Sequence, residues 1–83
     1  MTKSQLLERI GFLRDIQAWS LEHNRGLTEG ERICISQERA ALMNLIDGIS
    51  NETATYYAIP FKLEEKVQGI ARVIYATGWE RQD

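Results

Sequence analysis

The chain has one cysteine, one histidine and one proline in 83 residues, and its longest unbroken apolar runs, such as Ala40 to Met43, are four residues long. A single cysteine rules out an intramolecular disulfide, and one histidine beside it leaves no set of soft metal ligands. Runs of four are far short of the roughly 20 apolar residues that span a bilayer and of the about 7–15 in a secretory leader. Cytoplasmic localisation without membrane contact is therefore the expectation. Neither sign of charge dominates. Ten basic and twelve acidic side chains give a formal net charge of −2, which supplies no general attraction for nucleic acid or an anionic surface.

What is present is a globular composition, 43% apolar and 27% charged, with no repeat, low-complexity tract or charged tail, so a single domain is expected. A domain this short buries only about 60–65% of the surface its unfolded chain exposes, and self-association is a common way of adding buried area.

Three amphipathic helices account for most of the chain. Thr2 and Gln5 have capping-box spacing, and Leu6, Ile10, Leu13 and Ile16, with Leu21 nearby, recur at helical intervals, predicting a helix over 3–24. Gly26 is placed to take the left-handed conformation that ends it, with Leu27 as the accompanying apolar contact. Thr28 and Glu31 repeat the capping box and start a second helix over 29–49, whose buried seam is Ile35, Leu42, Leu45 and Ile49 with Ile46 beside it. Residues 50–59 fit neither a clean helix nor an alternating strand and form a connection. Pro60 suits the first position of a third helix over 60–77, with Leu63, Val67, Ile70 and Ile74 on one face. Gly78 followed by Trp79 again gives a left-handed cap and an apolar contact, before a polar tail over 80–83. The predicted fold is all-α: an antiparallel hairpin plus a third helix, a three-helix bundle completed by oligomerisation.

No phosphate loop, paired-cysteine motif, His-Glu metal spacing or nucleophile elbow is present. No enzymatic activity, cofactor or metal is expected, because no acid, base and nucleophile converge. His23, in the last turn of the first helix, favours the helix dipole. Cys34, between Ile33 and Ile35, reads as an inert buried thiol. Glu38 and Arg39 flank the space between Ile35 and Leu42 on the core side of the second helix. They either reach the edge of the seam and pair with a neighbouring helix, or they specify a partner or an anion. Phe12 and Trp19 widen the apolar arc of the first helix, through packing against both other helices or as aromatic anchors for a partner. Tyr56, Tyr57 and Phe61 cluster on the connection, where they pack over the end of the bundle or bind.

Two functions from different classes follow. The first is a self-associating, protein-binding regulator whose contact surface draws on Phe12, Trp19, Tyr56, Tyr57 and Trp79, oriented by Glu38 and Arg39. The second is a small-ligand or nucleotide module in which subunits bring Arg32, Arg39, Lys62 or Lys66 together with the tyrosines. Sequence-specific DNA binding is disfavoured, because the first turn of the second helix, which would approach the groove in a helix-turn-helix, carries Glu29 and Glu31.

In size, in its opening Met1-Thr2-Lys3-Ser4-Gln5-Leu6-Leu7-Glu8 and in its helical hairpin, the chain resembles the small accessory proteins of phages and prophages. That resemblance implies binding and disabling another protein, as antirepressors and anti-defence proteins do, in small oligomers within a bacterial host. It carries no functional residues over.

Overall fold

A computed structural model describes residues 2–47 and 59–80, and contains three helices: α1 (Lys3–His23), α2 (Glu29–Asp47) and α3 (Phe61–Thr77). The expected all-α architecture is found. α1 and α2 form an antiparallel hairpin, α3 returns alongside α1, and α1 packs against both neighbours.

Local chemistry sets most of the helix ends. Thr2 Oγ1 accepts from the Gln5 amide at 3.1 Å while Gln5 Oε1 accepts from the Thr2 amide at 2.8 Å. Thr28 and Glu31 repeat the exchange at 3.2 and 2.8 Å, so both helices of the hairpin begin with reciprocally satisfied amides. At the far end of α3, left-handed Gly78 lets the Gly78 and Trp79 amides both donate to the Ile74 carbonyl.

Two ends differ from the sequence expectation. α1 is capped by Asn24, itself left-handed at φ 51°, with the Asn24 and Arg25 amides donating to the Ser20 carbonyl. Asn tolerates that conformation better than most residues, so the helix ends at His23, with its cap two residues before the glycine. Gly26 serves another purpose. Its φ is +91°, and a Cβ there would lie 3.0 Å from the Trp19 ring and 3.1 Å from Ile70, so the turn passes close beneath two core side chains. Pro60 is not the first helical residue but the residue before it. Its ψ of 152° is extended, and its carbonyl accepts the first helical bond from Glu64 at 2.9 Å.

The core comprises Leu6, Leu13, Ile16 and Trp19 from α1, Leu27 from the turn, Ile35 and Leu42 from α2, and Ile59, Leu63, Val67 and Ile70 around α3. Leu45, Ile46 and Ile74 are half-buried against it; Ile49 lies outside the described residues. The expected apolar face of α1 is corrected at one position, because Leu21 is 64% exposed. Five residues beyond Ile16, it is rotated about 140° from that face. Ser20 is buried instead, its hydroxyl donating to the Arg25 carbonyl at 2.8 Å. Among the described residues, no helix is long and apolar enough to cross a membrane.

Candidate functional site

The oddity of charge on the core side of α2 resolves into two different arrangements. Glu38 is only 1% exposed. One carboxylate oxygen accepts from Arg9 Nε at 2.8 Å and the other from the Ile59 amide at 3.0 Å, so it ties α2 to α1 and to the entry of α3. Arg9 continues to α3, donating from Nη2 to Glu64 at 2.5 Å and from Nη1 to the same carboxylate at 3.3 Å. Gln68 also donates to Glu64, at 2.7 Å. Burial opposes the charged form of Arg9, but its bonds to Glu64 and Glu38 outweigh that and push its pKa up. For Glu64 burial acts upward, while the bonds from Arg9 and Gln68 prevail and hold its pKa below the ordinary carboxylate value. Glu38 thus pairs with a neighbouring helix, and all three helices meet at a single ionic node.

Arg39, one residue on, faces a different region. Its Nη1 donates to Gln17 Oε1 at 2.5 Å, and Gln17 in turn donates to the Arg32 carbonyl at 2.9 Å and Ser36 Oγ at 2.8 Å. These groups floor a groove of about 600 Å³ between α1 and α2, lined also by Arg14, Ala18, Leu21, Glu29 and Ile33. Arg32 donates to the Leu27 carbonyl at 3.1 Å and to Ser20 Oγ at 3.5 Å, both neutral acceptors. Leu21 and Ile33 stand on the rim, the latter 53% exposed.

A second groove, of about 460 Å³, runs between α1 and α3. Phe12, Ile16, Ala71 and Ile74 give it an apolar floor, Asp15 and Arg72 lie on its opposite banks, and Tyr75 stands over it 91% exposed. The Phe12 ring also receives the Arg9 guanidinium at 5.4 Å.

The other predicted site residues are distributed as follows. Trp19 is buried, stacked on His23 with ring centroids 4.5 Å apart. His23 Nδ1 lies 2.9 Å from the Trp19 carbonyl, which can only accept, so this nitrogen carries the proton. Trp79 meets the edge of His23 and its indole N–H donates to Glu22, closing the end of α3 onto α1. Cys34 is half-buried against the core. Of the four cations in the anion-binding set, Arg32 and Arg39 share the α1/α2 groove. Lys66 instead pairs with Glu31 at 2.8 Å and Lys62 is exposed on α3. The Lys66 bond, followed by that to the Thr28 amide, lowers the Glu31 pKa. Tyr56 and Tyr57 lie outside the described residues, and Phe61 is 76% exposed.

Sequence reasoning missed Arg9, Arg14 and Tyr75. A signal for Arg9 existed: a carboxylate on the core face of α2 requires a cation at matching height on the antiparallel partner helix. Among the described residues, no three His, Cys, Asp or Glu side chains gather closely enough to hold a metal ion. The chain matches no protein-family model, no curated protein and no solved structure.

Proposed function

We propose that this chain is a non-enzymatic helical regulator that associates with itself and binds and disables another protein. The observation that carries this reading is the amount of apolar surface left outside the core. Leu7, Leu21, Ile33, Met43, Phe61, Val73 and Tyr75 are all exposed, and Leu21, Ile33 and Tyr75 border the two grooves that flank α1. Scattered exposed leucines need no explanation, but apolar side chains gathered along grooves mark contact surfaces. The kind of regulation follows the resemblance to phage and prophage accessory proteins.

The α1/α3 groove suits a second copy. It carries one carboxylate and one guanidinium on opposite banks, so a two-fold axis can set Asp15 of each copy against Arg72 of the other while Tyr75 covers apolar floor. Sedimentation of the purified chain is expected to give a dimer that Tyr75→Glu converts to a folded monomer. A strict monomer at high micromolar concentration removes self-association. Affinity capture from the organism that encodes the chain tests the other half. A protein enriched by the wild type and lost with surface variants supports partner binding, and no enrichment above background counts against it.

A further inference from the structure

We propose that the α1/α2 groove receives an acidic amphipathic helix of the partner protein. This rests on the protein-binding reading and names the partner's chemistry. Arg14 and Arg32 line the groove against a single carboxylate, Glu29, so these two guanidinium groups outnumber it on a chain whose net charge is −2. Among the described residues no carboxylate is paired with Arg14 or Arg32. The Arg32 guanidinium, held in place by neutral acceptors, keeps its charge for an incoming carboxylate and is already oriented to meet it, and Arg14 is exposed on the adjacent bank.

The apolar component points to a helix. Leu7, Arg14 and Leu21 lie seven residues apart on the outer side of α1, all exposed, with Gly11 and Ala18 between them. That is the alternating four- and three-residue spacing along which a second helix packs, with the small residues admitting close approach. A Cβ added at Gly11 would meet nothing within 4 Å. Ile33, on the opposite bank, completes an apolar rim. An occupant with leucines on one face and glutamates flanking it satisfies both features.

Two other occupants fit less well. A second copy placed symmetrically on this stripe would bring Arg14 against its own image, a like-charge contact in the middle of the interface. A nucleic acid would meet Glu29 and the negative net charge, and has no use for Leu21 and Ile33.

The test is a nitrogen-15 NMR titration of the full chain with four probes: a synthetic helical peptide of leucine and glutamate with leucines at helical spacing, its twin with every glutamate replaced by lysine, inorganic phosphate, and a single-stranded oligonucleotide. The acidic peptide is expected to shift amides around Arg14, Leu21 and Ile33, and the lysine twin to leave them unmoved. Arg14→Glu should weaken the acidic peptide by about tenfold or more, and Leu21→Ser should also weaken it. Arg14 and Leu21 are both exposed, so an unchanged circular dichroism spectrum is expected and separates lost binding from lost fold. Binding of both peptides alike, of neither, or with shifts confined to the α1/α3 side overturns the proposal. So does phosphate or the oligonucleotide giving the same shifts independently of Leu21. If Arg14→Glu still captures the partner that the wild type captures, this groove is the wrong site while the protein-binding function stands. If the acidic peptide binds the groove but no host protein is captured, the function fails and the groove's chemistry stands.

Discussion

Arg9 and Arg14 lie on the same helix a little over one turn apart, and their guanidinium groups have opposite fates. Arg9 faces inward to the node where Glu38 and Glu64 converge, and its charge is neutralised across three helices. Arg14 lines a groove with Arg32, whose guanidinium donates to the neutral groups of Leu27 and Ser20, and neither arginine is paired with a carboxylate among the described residues. Partner identity, more than residue type, separates the two regions. A charge neutralised inside the bundle specifies how the helices assemble. A charge held by neutral acceptors at the surface is free energy not yet used, available to whatever docks there.

The comparison breaks most visibly at Glu38. Glu38→Ala removes the carboxylate that joins Arg9 to the Ile59 amide, leaving that buried amide without its acceptor and Arg9 with Glu64 alone, so it should cost about 2–4 kcal/mol. The whole domain has roughly 4–12 kcal/mol to lose. Urea unfolding followed by circular dichroism measures this, and a loss below about 1 kcal/mol would mean that the node is not structural. Glu38→Gln, which can still accept from the Ile59 amide, should be less damaging than Glu38→Ala.

The two regions also differ in how far the sequence revealed them. Both capping boxes and the Gly78-Trp79 cap were legible, because each depends on residues within a few positions of one another. So were the buried faces of α2 and α3, where a single apolar stripe at helical spacing faces a single core. α1 is harder, since it packs on two sides and its wide apolar arc does not show which edge is solvated, so the spacing alone does not reveal that Leu21 is exposed. Glu38 was recognised as anomalous, but naming Arg9 as its partner requires the register of the hairpin. The candidate site was less legible still. Arg32 and Arg39 share a groove while Lys66 goes to Glu31, a division decided by which helices lie side by side.

Acid should weaken the node progressively. Glu64 has a depressed pKa in the folded chain, so its contribution to stability is fully present above the unfolded value, about 4.3, and is lost as pH falls through the lower folded value. Arg9 stays protonated throughout and adds no slope in this range. Thermal unfolding from about pH 5 to about pH 3 should therefore show a midpoint that falls more steeply in the wild type than in Glu64→Gln. Equal slopes would place the acid sensitivity elsewhere. The depressed Glu31 acts in the same direction, but its partner Lys66 is half exposed, so Lys66→Ala should cost less than about 1 kcal/mol.

The smallest expected effect is the one that best separates the two regions. Arg14→Ala removes a guanidinium that pairs with no carboxylate among the described residues, from an exposed position on α1, and replaces it with the strongest helix former. Its unfolding free energy should stay within about 0.5 kcal/mol of the wild type, and easing the repulsion from Arg32 across the groove gives the change a stabilising direction. A cost of more than about 1 kcal/mol would mean that Arg14, like Arg9, holds the bundle together, and the contrast between a neutralised and an available arginine would collapse. With stability unchanged, weaker binding of the acidic peptide by this variant has one physical source, the lost attraction between the Arg14 guanidinium and the incoming carboxylates.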